Sequence, residues 1–157
     1  MERANREDPG SSVVADGAGP LVYVAGPLFD EGERWWIETV DRTVVDCGFS
    51  TFLPHRDNPD KTADNTGEIF RNDRDAIDRC ALLVANLNGL TTDDGTAWEL
   101  GYSHALGKYQ IGLHTDWRSR FPNEVVNLMI EESLHVLVHS LDDLADALRG
   151  WRSANGD

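Results

Sequence analysis

The stretch Asp93-Asp94-Gly95-Thr96-Ala97-Trp98-Glu99-Leu100-Gly101-Tyr102 holds the residue types of a reactive carboxylate. It follows an apolar run, Ala81 to Leu87, that reads as a buried strand, and it leads into a segment, Trp98 to Lys108, that reads as a helix. Glu99 then falls in a first helical turn, at the carboxyl end of a strand, where α/β sheets bind their ligands. A helix start favours an ionised carboxylate, and a carboxylate nucleophile must be ionised. A second use competes for the same side chain. Thr96-x-x-Glu99 also matches a capping box, in which the glutamate reaches back to the cap residue's N–H. The residues alone leave both uses open.

Asp73 is the candidate partner. It lies in Phe70-Arg71-Asn72-Asp73-Arg74-Asp75, a run whose ordinary meaning is a solvated helix face. Paired-carboxylate chemistry requires Asp73 to approach Glu99, and helices before and after one strand can bring that about. Two other patterns lead nowhere. Gly101 to Lys108 ends in Gly-Lys but lacks the spacing and the Ser or Thr of a phosphate-binding loop. His135 and His139 are four apart, yet Val136-Leu137-Val138 between them favours a strand, so they are expected to pack or face solvent rather than hold a metal.

The elements that must position these residues alternate. Leu21 to Ala25 reads as a first strand, broken by Gly26-Pro27. Glu31 to Cys47 reads as a helix, with Trp36, Val40 and Val44 on one face and Gly48 as its stop. Phe49 to Pro54 reads as strand two, His55 to Thr66 as a polar loop and Gly67 to Arg79 as a helix. Gln110 to His114 reads as a fourth strand, 123–132 as a short helix, Leu134 to Val138 as a fifth strand and Leu141 to Arg149 as a closing helix. This order predicts a single-domain α/β fold: a doubly wound, mainly parallel five-stranded sheet with helices on both faces. The domain is expected over residues 20–152, behind a mobile polar tail at 1–19.

Composition narrows the function classes. A length of 157 residues suits one domain with a core of its own. The net charge of −14 opposes binding to nucleic-acid polymers, whose phosphates want Lys and Arg. No apolar run reaches the length of a membrane span. Met1 to Asp8 are polar, without a signal-peptide core, which gives the expectation of a cytoplasmic protein. Cys47 and Cys80 then read as separate thiols.

Four motifs in order resemble those of the nucleoside 2-deoxyribosyltransferases and their wider superfamily of nucleoside and nucleotide N-glycosidases. They are Tyr23-x-Ala25-Gly26-Pro27-Leu28-Phe29, Asn72-Asp73, Asp93 through Gly101, and Asn127-Leu128-Met129. The resemblance spans roughly 20–140. It implies a Rossmann- or flavodoxin-like fold and transfer of 2-deoxyribose between nucleobases, without metal or organic cofactor. Hydrolysis of nucleosides or nucleoside 5′-monophosphates, or binding without turnover, is the alternative. By the same resemblance Glu99 is the nucleophile, Asp73 handles the base's proton and Tyr23 orients Glu99. Asp93, or its neighbour Asp94, holds the sugar 5′-hydroxyl. Gly26, Phe29, His55, Arg56 and Met129 are candidate substrate contacts. Asn127 reaches the sugar of a neighbouring subunit, which implies a homo-oligomer, at least a dimer. Acidic Asp93 and Asp94 repel phosphate and can accept from a hydroxyl, so free nucleosides are the expected substrates.

Overall fold

The computed structural model of the chain describes residues 19–118 and 125–156. The expected tail, up to residue 18, and the first two positions of the expected 123–132 helix lie outside the described residues. The elements are β1 (Leu21–Ala25), α1 (Glu31–Asp46), β2 (Ser50–Phe52), α2 (Pro54–Asp57), α3 (Thr66–Arg79), β3 (Leu82–Asn86), α4 (Asp94–Ala105), β4 (Tyr109–Leu113), α5 (Leu128–Glu131), β5 (Val136–Val138) and α6 (Leu141–Asn155). The strands form one sheet in the order β2-β1-β3-β4-β5, and every pairing is parallel. The doubly wound α/β fold expected from the alternation of elements is therefore the fold observed.

Side-chain alternation along the strands divides the core. Val22, Val24, Leu82 and Val84 point to one face, where they pack with Ile37, Val40 and Val44 of α1 and Leu144 and Leu148 of α6. Tyr23, Ala25, Leu83 and Ala85 point to the other, with Ala76 and Ile77 of α3 and Leu100 of α4. All five residues of β3 are buried, as a central parallel strand requires. The chain leaves β1 toward β2 on one side and later returns to pair β3 on the other. That reversal opens a crevice at the carboxyl ends of β1 and β3. Gly26 sits at this rim. A Cβ there would lie 2.8 Å from Ile37 Cδ1 and 3.0 Å from Asn86 Cβ, so no larger residue fits without displacing core atoms.

Three differences from the sequence reading have a local reason. Helix α4 begins at Asp94 rather than Trp98, because Asp93 is its cap: Asp93 Oδ2 accepts from Thr96 N at 2.9 Å and Thr96 Oγ1 at 3.1 Å. Thr96 is thus not a cap residue, and the Thr96–Glu99 capping box does not form. A capping box is present instead on α1, between Asp30 and Glu33. The expected polar loop after β2 opens with the helical turn α2, where Pro54 starts the turn and Asp57 Oδ2 accepts from Leu53 N at 2.8 Å. Helix α6 runs to Asn155, past the expected end at Arg149, because Trp151 packs on Phe49, with ring centroids 5.9 Å apart. His135 Nδ1 accepts from Gln110 N at 3.2 Å, and His139 Nδ1 lies 2.8 Å from His114 O. The two histidines therefore serve the β4–β5 edge.

Replacing the α4 cap, Asp93→Ala, should cost about 1 kcal/mol, the scale of N-cap losses. For a domain of this size that lowers the melting temperature by roughly 2–4 °C in a thermal scan. Asp94→Ala, which removes no cap hydrogen bond, should leave it within about a degree.

Candidate active site

Tyr23 stands on the α3/α4 face of β1, with its ring buried and stacked on Phe52 at 5.5 Å. Its hydroxyl donates to Glu99 Oε1 at 2.6 Å. Glu99 is the sixth residue of α4, so it belongs to the second turn and not the first. Side chains on a helix lean toward its N-terminus, which turns the Glu99 carboxyl back over the strand ends. Asp73 faces it from α3. Asp73 Oδ1 accepts from Asn58 Nδ2 at 2.6 Å, and Asn58 Oδ1 accepts from Asn72 Nδ2 at 3.1 Å. Asp73 and Glu99 line one cavity of about 410 Å³ with Lys61, Thr66, Phe70 and Trp98. Phe70 meets Trp98 edge to face at 5.4 Å, and Trp98 stacks on Tyr102 at 5.2 Å.

Burial dominates the electrostatics. It pushes the Glu99 carboxyl up to about 8; the Tyr23 hydroxyl opposes this, while the negative charges of Asp73 and Asp93 add to it. Burial likewise raises Asp73 to about 6, against the Asn58 hydrogen bond. Tyr23 is held well above its ordinary value by burial and by the Glu99 and Asp73 charges, so it remains a donor. The expectation that a helix start keeps Glu99 ionised is thereby corrected: the dipole fades beyond the first turn, and desolvation prevails. Two carboxyls on one cavity, with the charge of Asp93 acting on one of them, are costly as anions. A cation arriving among them would relieve that cost.

Asp93 stands close enough for its charge to act on Glu99, with one oxygen committed to the cap. Asp94 is exposed at the start of α4. Phe29 is exposed, and its N–H donates to Glu33 Oε2 at 2.7 Å. Arg56 pairs with Asp41 at 2.9 Å and Asp57 at 2.7 Å and donates to Thr51 O at 3.0 Å, so its guanidinium ties α2 to α1 and β2 rather than reaching into the cavity. His55 Nε2 lies 3.0 Å from Glu38 Oε1. Asn127 caps α5, accepting from Met129 N at 3.0 Å. With Met129, Leu90, Leu100 and Val126 it lines a different cavity, of about 610 Å³, on another face of α4. Within one chain, Asn127 is therefore not part of the Glu99 cavity.

Sequence reading missed Asn58, Lys61, Phe70 and Trp98. The aromatic pair had a signal: Phe70 precedes Asp73 by three residues on a helix, and Trp98 adjoins Glu99. Asn58 had none, since its partner lies fifteen residues away.

An α/β fold that brings two carboxyls and a tyrosine to one crevice has the groups that paired-acid chemistry on a small molecule would use. The family model described as "nucleoside 2-deoxyribosyltransferase" matches residues 22–136, and the chain belongs to that family. It is an enzyme of the deoxyribosyltransferase type. Among solved structures, a 2-deoxyribosyltransferase from Bacillus psychrosaccharolyticus is 27% identical, with a TM-score of 0.69 over 80% of this chain and 90% of that one. A conserved protein from Enterococcus faecalis V583 is 22% identical, with a TM-score of 0.75 over 85% and 99%. A 2-deoxyribosyltransferase from Leishmania mexicana is 23% identical, with a TM-score of 0.63 over 82% and 97%. The latter two share the fold. No curated protein matches the chain by sequence.

The raised Glu99 carboxyl predicts a stability signature. In the folded state Glu99 holds a proton up to about 8, whereas an unfolded glutamate releases it near 4.5. Between those values the folded state binds more protons, so stability falls as pH rises. Glu99→Gln removes this contribution while keeping an acceptor for Tyr23. Its melting temperature should exceed that of the wild type at pH 8 and converge with it near pH 4.5.

Proposed function

We propose that the protein transfers 2-deoxyribose between nucleobases through a glycosyl ester on Glu99. The observation that carries this reading is the Tyr23–Glu99 hydrogen bond at 2.6 Å, at a cavity that Glu99 shares with Asp73. Cleaving an N-glycosidic bond builds positive charge at the anomeric carbon. The clustered carboxyls of Glu99, Asp73 and Asp93 suit that charge, and its arrival favours ionised Glu99. Tyr23 aims one Glu99 oxygen by donating to it. Asp73 gives its proton to a ring nitrogen of the base as the C–N bond breaks. Glu99 forms the C–O bond of the ester. A second base then attacks the anomeric carbon, Glu99 leaves as carboxylate, and Asp73 takes up the incoming base's proton. Two displacements retain the configuration of the sugar.

Asp93 has an oxygen left over from the cap for the sugar 5′-hydroxyl, and Asp94 is its acidic neighbour. Two carboxylates there disfavour a 5′-phosphate. Phe70 and Trp98 offer apolar faces to a base. Lys61, on the same cavity, is the observation that favours a nucleoside 5′-monophosphate instead. We further infer a cytoplasmic homo-oligomer in which Asn127 serves a neighbouring subunit's sugar.

Incubation with deoxyinosine and free adenine or cytosine, followed by chromatography, tests the reading. A new deoxynucleoside is expected. It should be absent with Glu99→Ala and slowed by about 10²- to 10⁴-fold with Asp73→Asn, the usual worth of a general acid. Base release without exchange would replace transfer by hydrolysis. Turnover of deoxycytidine 5′-monophosphate in preference to deoxycytidine would replace the nucleoside by the nucleotide. Silence with all of them, or full activity in Glu99→Ala, would overturn the reading.

A further inference from the structure

We propose that Asn58 is the positioning residue of the acid, binding Asp73 Oδ1 so that Oδ2 is the oxygen that exchanges a proton with the nucleobase. The proposal rests on the transfer reading above. It starts from the saturation of the Asn58 amide. Nδ2 donates both its hydrogens, to Asp73 Oδ1 at 2.6 Å and to Pro54 O at 3.1 Å, and Oδ1 accepts from Asn72 Nδ2 at 3.1 Å. These partners fix the orientation of the amide. A flipped amide would set its carbonyl against two acceptors and its NH₂ against the NH₂ of Asn72.

The amide is mounted on braced backbone. Asn58 N donates to Pro54 O at 3.1 Å at the end of α2. Asp57 back-bonds to Leu53 N, and Arg56 fastens the same turn to Asp41 on α1 and Thr51 on β2. The backbone of the donor that grips Asp73 is therefore anchored to the sheet and α1, while Asn72, on the helix that carries Asp73, orients its amide. A carboxyl whose Oδ1 accepts a bond of 2.6 Å carries its own proton on Oδ2. Asn58 also sets when that proton leaves: its bond favours the ionised form, while burial favours the neutral one. The other groups around the Asp73 pocket are Glu99 from α4, on which the charge of Asp93 acts, Tyr23 from β1 and Lys61 from the loop after α2. Arg74 and Asp75, its neighbours on α3, are paired with each other at 2.6 Å.

The test has two readouts on the full chain. One is the titration of the Asp73 carboxyl carbon by ¹³C NMR, assigned by its loss in Asp73→Asn. The other is the pH profile of kcat/KM for base exchange. Asn58→Ala should raise the Asp73 pKa by roughly one to two units, the worth of a hydrogen bond to a charged group. The acidic limb of the profile, which Asp73 sets because it titrates below Glu99, should move with it, and kcat should fall more than KM rises. Asn58→Asp keeps the size but replaces a donor by a charge, and it should move both readouts further. A well-dispersed spectrum of either variant separates this effect from misfolding. An Asp73 titration unmoved by both variants would overturn the proposal, as would a moved titration with an unmoved limb. The titration needs no turnover, so a wild-type protein that leaves every nucleoside intact would overturn the functional reading separately.

Discussion

The hydrogen bond from Tyr23 to Glu99 joins two constraints that otherwise oppose each other. A nucleophilic carboxylate wants charge, and a crevice that excludes water penalises charge. Glu99 is buried within reach of the Asp73 and Asp93 charges, and both those charges and its burial favour its neutral form. The Tyr23 hydroxyl is the group that pulls the other way. Because the tyrosine is itself buried and surrounded by negative charge, it keeps its proton and stays a donor. The site is thus held in an uncomfortable state that positive charge arriving in the cavity would relieve. Fold stability elsewhere offsets the discomfort, in the sheet and in the cores on its two faces.

The remainder of the architecture serves to hold that bond. Residue alternation on β1 sends Tyr23 to the face covered by α3 and α4, so the helices carrying Asp73 and Glu99 are the ones packed over it. The reversal of strand order beside β1 opens the crevice there. Asp93 both caps α4 and acts by its charge on the residue that α4 delivers. On the opposite wall, α2 and the amide of Asn58 fix Asp73 from a direction its own helix cannot provide.

The fold was legible where the signal is dense and local. The apolar runs of β1 and β3, the amphipathic face of α1 and the stop at Gly48, whose φ is +85°, all stand out in the sequence. Boundaries were lost where one polar side chain decided between neighbours. Asp93, not Thr96, won the cap of α4, which moved Glu99 into the second turn and changed what controls its charge. Arg56 read as a candidate substrate contact, and Asp41, Thr51 and its chain neighbour Asp57 claimed it. Asn58 carried no mark at all, because its importance comes from where Asp73 arrives in space. Motif order brought out Tyr23, Asp73 and Glu99; the contacts that tune them are set by packing.

The account stands most directly on the covalent role of Glu99. The measurement is the intact mass of the protein, and of its Glu99 peptide, after brief reaction with a 2-fluoro-2-deoxy nucleoside, whose fluorine slows breakdown of a glycosyl ester. The account predicts a gain equal to one fluorodeoxyribosyl group, located on Glu99 and released when free base is added. An active enzyme that shows no such adduct, or that carries it on another residue, would contradict it.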